Sequence, residues 1–99
     1  MKWFISQPMK DKTKEMIETE REHLINAIRS EDKEAEIIES YFKDYDPKNG
    51  CIPLKFLSKS LELLADADKA VFAKGWQDAR GCRIEHMAAI EYGIHVIDN

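Results

Sequence analysis

Glu85 is the residue on which a chemical reading of this chain turns. It follows Arg80-Gly81-Cys82-Arg83-Ile84 near the start of a segment that reads as the last helix. A carboxylate in the first turn of a helix is held as the anion by the helix dipole and by unpaired N–H groups. An ionised, oriented carboxylate can serve as a nucleophile or general base. The same spacing also suits a helix cap, the commoner use of Glu at such a place. Arg80, Gly81 and Arg83 can hold a phosphate at that helix N-terminus through N–H groups and guanidinium. A surface loop in which Gly81 supplies an unusual φ accounts for the pattern equally well, because neither a dinucleotide fingerprint nor a P-loop is present.

Cys82 and His86 have the helical spacing of half a metal site, but His23, His95 and Cys51 offer no second half. No metal and no cofactor is therefore expected. No Ser-His-Asp or Cys-His triad is supported. Cys82 near a helix start is either a thiol of lowered pKa or, more commonly, a small buried one.

The elements that must position these groups follow from patterning. Lys2 to Ser6 (KWFIS) reads as a first strand, stopped by Pro8, which cannot donate to a ladder. Thr13 caps a helix running to Arg29, with Met16, Ile17, Leu24, Ala27 and Ile28 at helical spacing. Ala35 to Ser40 reads as a second strand continuing into Tyr41-Phe42. Asp46-Pro47-Lys48-Asn49-Gly50 is a turn. Pro53 opens a helix to Ala65 with Leu54, Leu57, Leu61 and Leu64 as its stripe. Lys69 to Ala73 is a third strand, broken by Lys74-Gly75-Trp76. The last helix runs to about Tyr92, with Gly93 at its C′ position, and Ile94 to Ile97 is a fourth strand.

Strands alternating with helices imply parallel pairing and right-handed crossovers. The expected fold is α/β: a three-layer sandwich, flavodoxin- or Rossmann-like, with a four-stranded parallel sheet in the order 2-1-3-4, in one domain over 1–99. Such sheets bind ligands beyond the carboxyl ends of their strands, where the strand order reverses. Here that point lies between the first and third strands. Ser6-Gln7-Pro8-Met9, then Lys74-Gly75-Trp76, then Arg80 to Glu85 arrive there. Trp76 either stacks on a base or closes the edge of the core, the second being the commoner fate.

The chain has 99 residues, 43% of them hydrophobic, and a formal net charge of -4. That length suits one domain with a modest core, so self-association into a homo-oligomer is expected. An acidic balance argues against a nucleic-acid polymer as partner. The N-terminus lacks a signal-peptide pattern, no apolar run reaches the ~20 residues of a membrane helix, and the two cysteines suit a reducing compartment. A soluble cytoplasmic protein is expected.

Two stretches carry a resemblance. Ser60-Leu61-Glu62-Leu63-Leu64-Ala65-Asp66-Ala67-Asp68-Lys69-Ala70-Val71-Phe72, and then Gly81-Cys82-Arg83-Ile84-Glu85-His86-Met87-Ala88-Ala89, are similar to the nucleoside 2-deoxyribosyltransferase-like superfamily. The opening KWFISQPM and the GW…ARGC…EH segment extend the likeness over the whole chain, toward the small phage and bacterial branch. The resemblance implies a nucleoside or nucleotide ligand and an N-glycosidase or deoxyribosyltransferase activity, with Glu85 as the nucleophile that attacks the anomeric carbon. The alternative is a binding module that senses or sequesters a nucleotide. The resemblance places Ser6 to Met9 in the loop that contacts base or sugar, and homo-oligomers are usual. This chain has Ser60 where the catalytic enzymes carry an Asp. It has Ala79 where nucleotide hydrolases carry a phosphate-binding Ser, and Arg83 where a small residue is common.

Overall fold

Side-chain alternation along two short strands decides how the layers stack. The computed structural model describes residues 1–42 and 44–98. The strands are β1 (Lys2–Ser6), β2 (Glu36–Ile37), β3 (Lys69–Phe72) and β4 (His95–Asp98), and the helices are α1 (Lys14–Glu31), α2 (Ile52–Leu64) and α3 (Arg80–Glu91). A single 3-10 turn, Trp76–Asp78, separates β3 from α3. All pairings are parallel and the sheet order is β2-β1-β3-β4, as the βαβ pattern predicts.

Successive residues of a strand face opposite sides of a sheet. Trp3, Ile5 and Val71 accordingly pack with Ala73 on one side, against Leu24 and Ile28 of α1. Phe4, Ala70 and Phe72 pack on the other, with Leu64 of α2 and Ala89 of α3. Helices thus cover both faces, which is what lets parallel strands stay apolar on each side. Ser6 follows Phe4 and Ile5 in the alternation, so its hydroxyl falls on the α2–α3 side. Gln7 falls on the α1 side.

Local signals set the helix ends. Thr13 accepts a hydrogen bond from the Met16 N–H (3.1 Å) and caps α1. Pro53 occupies the first turn of α2, where its missing N–H costs nothing. Gly93 ends α3 at φ 75°, a left-handed conformation that a side chain would strain.

Three expectations need correction. The second strand is two residues long, not the six or eight of Ala35 to Phe42. Its ladder ends when Ile38 N–H donates to the Trp3 carbonyl (2.9 Å). Beyond that, the Ser40 hydroxyl donates to the Ile5 carbonyl (2.9 Å), and the buried Arg21 donates to the Ile38 carbonyl (3.2 Å) and toward Ser40 (3.4 Å). Side chains therefore take over the backbone's partners and the chain peels away from the sheet. The leucine stripe of α2 is also incomplete. Leu64 is buried and Leu61 packs on the core, but Leu54 at the other end is exposed. Finally, the last helix begins at Arg80, which carries Glu85 deeper into it than the first turn.

Candidate functional site

The carboxyl end of β1, the segment leaving β2, the first half of α2 and the start of α3 enclose a cleft of about 800 Å³. Ser6, Gln7, Pro8 and Met9 enter it from the end of β1, Ser60 from α2, and Arg80, Gly81 and Glu85 from α3. The reversal of strand order points to the space between β1 and β3, whereas the cleft is lined from β1, the segment after β2, α2 and α3, with no described residue of β3.

Glu85 is the centre of the cleft's polar floor. It is 7% exposed, and the Ser6 hydroxyl donates to its Oε1 at 2.6 Å. The Ser60 hydroxyl, from α2, lies close enough to favour the carboxyl's charged form. Burial pushes the Glu85 carboxyl above the ordinary carboxylate range, and the two serine hydroxyls pull it part of the way back. This corrects both readings of Glu85 as a first-turn residue. As the sixth residue of α3 it lies beyond the free N–H groups that a capping Glu would reach, and desolvation outweighs the dipole.

Cys82 sits beside this pair and is equally sheltered. Burial pushes its thiol up, a bond with Ser6 opposes the rise, and the nearby Glu85 adds to it. A thiol in that state is a poor nucleophile. Gln7 is committed to the opposite face of the sheet. Its Nε2 donates to the Ile17 carbonyl (2.7 Å) and to Glu20 (3.0 Å), which also pairs with Lys12 (3.5 Å). That tether to α1 fixes where β1 ends. Among the described residues, Gln7 Oε1 is a buried acceptor with no protein partner.

The start of α3 borders the cleft with no side-chain cap, since Ala79 stands at the N-cap. The first intrahelical bond runs from Arg83 N–H to the Ala79 carbonyl (3.0 Å), leaving the earlier N–H groups for other partners. Gly81 has ordinary negative φ, and a Cβ there would meet nothing within 4 Å of the protein. The fold does not need this glycine. Gly81→Ala is therefore expected to raise stability by about 0.5–1 kcal/mol, read as a higher urea midpoint. The same variant should weaken phosphate-bearing ligands, whose approach to the helix N-terminus the methyl obstructs, more than their dephosphorylated forms.

Four other candidates do not border the cleft. Lys74 is exposed, and Gly75, at φ 87°, starts the 3-10 turn that swings the chain aside. Trp76 then lies edge-on to Phe72 (5.8 Å) and stacks flat on His86 (3.8 Å between centroids, 8° between planes). It closes the core edge. Arg83 precedes Glu85 by two residues, a rotation of roughly 200° about the helix axis, so it faces away from it. Its Nη1 donates to the Gln77 carbonyl (2.9 Å).

Sequence reasoning did not assign the opposing wall. Tyr41 and Phe42, which leave the sheet after β2, line it together with Ile52, Leu54, Phe56 and Leu57. Phe42 and Phe56 are stacked at 6.4 Å and 28°. The available signal was a pair of aromatics running on past the short edge strand. Among the described residues no group of three or more His, Cys, Asp or Glu could hold a metal ion, and no helix is long and apolar enough to cross a membrane. Neither protein-family models nor curated proteins nor solved structures gave a match to this chain.

Proposed function

We propose that this cleft binds a nucleoside or nucleotide and cleaves or transfers its N-glycosidic bond, with Glu85 as the nucleophile. The observation that carries the reading is one buried carboxyl held by the Ser6 hydroxyl, at the carboxyl end of β1 on the side of the sheet where the cleft opens. The resemblance to the nucleoside 2-deoxyribosyltransferase-like superfamily points to the same residue. Glu85 Oε attacks C1′ while the C1′–N bond breaks and its electron pair leaves with the base, giving a glycosyl ester and the base, which takes up a proton where it departs as an anion. Water or an acceptor base then displaces the ester and regenerates the carboxylate. Arg80 and the uncapped start of α3 suit a 5′-phosphate, and the Phe42–Phe56 wall a flat base.

A second reading, a binding module that senses or sequesters the nucleotide, is favoured by one feature. Ser60 stands where an aspartate would supply a second carboxyl, and a buried Glu85 is less readily ionised. Base release and ligand binding, measured side by side for a panel of nucleosides and nucleotides, separate the two. Release that disappears in Glu85→Gln establishes the enzyme, whereas binding without release establishes the module.

α3 presents Ile84, Met87 and Ile90, all exposed and three residues apart, and Ile84 and the exposed Leu54 of α2 both border the cleft. A second copy of the chain is the proposed cover for this face, and sedimentation velocity across a concentration series tests it. Both cysteines are free, which suits the reducing cytoplasm proposed as its compartment.

A further inference from the structure

Breaking an N-glycosidic bond leaves an electron pair on the departing ring nitrogen. A neutral purine or pyrimidine leaves well only when an acid protonates it. A base with a fixed positive charge needs no proton, because the pair neutralises the charge as the bond breaks. Which acids stand in the cleft therefore bears directly on the substrate.

Among the described residues lining it, Glu85 is the one carboxyl and there is no histidine. Asp68 is spent at the opposite end of the sheet, where it accepts from the Lys2 N–H (2.8 Å). Asp98 is bonded to His86 (3.0 Å), whose ring stacks on Trp76 outside the cleft. What remains are Tyr41, Cys51 and Cys82, a phenol and two thiols, weaker acids as a class than a carboxylic acid or an imidazolium. Groups so weakly acidic are poorly matched to protonating a leaving base at neutral pH.

Two further features are independent of that census. The hydrogen bond to the Glu85 carboxyl comes from the neutral Ser6 hydroxyl, so among the described residues its charge, when present, is not neutralised by a lysine or arginine bonded to it. The wall of Tyr41, Phe42 and Phe56 offers aromatic rings to a ligand, and aromatic faces attract flat cations.

We propose that the ligand of this cleft is a nucleoside or nucleotide whose base carries a fixed positive charge, of the pyridinium or N7-alkylated purine type. The catalytic part of this proposal rests on the N-glycosidase reading; the ligand class does not. In the reaction, a Glu85 oxygen forms a bond to C1′ as the C1′–N bond breaks and its pair neutralises the ring. Water then bonds to C1′, the ester C–O bond breaks back to the carboxylate, and one proton leaves to solvent. Charge and atoms balance without a general acid for the base.

The test has two arms, with wild type and Glu85→Gln, each checked for folding by circular dichroism. The first compares base release from nicotinamide mononucleotide, nicotinamide riboside and 7-methylguanosine with release from adenosine, guanosine and thymidine. Acceleration over each compound's uncatalysed rate should be at least ~100-fold greater for the cationic set. The second compares calorimetric binding of 1-methylnicotinamide, a cation with no glycosidic bond, with that of neutral nicotinamide. The cation should bind wild type at least ~10-fold more tightly, and the difference should vanish in Glu85→Gln. Equal binding of the two pyridines overturns the proposal. Equal acceleration of neutral and cationic nucleosides overturns it too, and leaves the glycosidase reading standing. Preferential cation binding with no base release from any compound keeps the ligand class and removes the glycosidase.

Discussion

Glu85→Gln is expected to raise the stability of the protein at neutral pH while lowering base release by about 10³-fold or more. The two effects have one cause. Glu85 is buried among neutral groups, and burial lifts its carboxyl above the ordinary carboxylate range. In the unfolded chain it ionises at its ordinary value. Its favourable contribution to folding is therefore fully present below that value and is lost as pH rises through the higher folded one. Glutamine fills the same space, can still accept from Ser6, and carries no charge to desolvate. The melting temperatures of wild type and Glu85→Gln should coincide near pH 4 and separate as pH rises. At the plateau the variant should be more stable by about 1 kcal/mol, the common scale of such trade-offs. Melting temperatures that stay equal up to pH 8 would contradict the cost assigned to this carboxyl.

On the proposed glycosidase reading, activity should run the opposite way with pH, because only the ionised carboxylate attacks carbon. The acid limb of kcat/KM, which reports the free protein, should lie above the ordinary carboxylate range. A cationic base in the cleft favours the anion, so the acid limb of kcat should lie lower than that of kcat/KM. A neutral substrate would leave the two limbs together. This split needs no mutation and distinguishes the ligand classes in the wild-type protein.

What the sequence discloses about this fold is what local chemistry controls. KWFIS ahead of a proline gives the bounds of β1, and the alternation of strands and helices gives the sheet order. Those two facts alone bring Ser6 and Glu85 to the same strand ends. The errors lie where distant partners decide. Ala35 to Ser40 has the composition of a full strand, yet Ser40 and Arg21, nineteen residues apart, divert its backbone after Ile37. Nothing near Ala79 marks a helix start, so the depth of Glu85 within α3 is hidden although its location is not. Ser60 reaches the neighbourhood of Glu85 only because α2 and α3 share a face of the sheet, which no local signal in either helix states. Lys74-Gly75-Trp76 reaches the correct end of β3. One left-handed residue, Gly75, then turns Trp76 toward His86 and away from the cleft.

Phe72→Ala should be the most destabilising of the core truncations that bear on the site, costing about 3–5 kcal/mol. Phe72 is fully buried at the end of β3 and pairs in register with Ser6, so their side chains stand on the same face of the sheet. Its ring meets Trp76 and His86, the latter at 4.7 Å, and thereby fixes α3 against the sheet. Removing the ring leaves a cavity between α3 and the strand that carries Ser6, and backbone atoms on both sides are too constrained to fill it. A chain of this size has a total stability of about 5–10 kcal/mol, so the variant should be near its unfolding threshold at room temperature. Phe72→Leu retains most of the volume and should cost about 1–1.5 kcal/mol. Urea titrations with an unchanged slope and a displaced midpoint would read both values. The Leu variant, still folded, then reports on the site: with α3 less firmly seated, Glu85 is held less well against Ser6, and binding of 1-methylnicotinamide should weaken. Trp76→Phe offers the control. It keeps an aromatic ring on His86 and removes an indole N–H that has no partner among the described residues, so its cost should be small and cation binding unchanged.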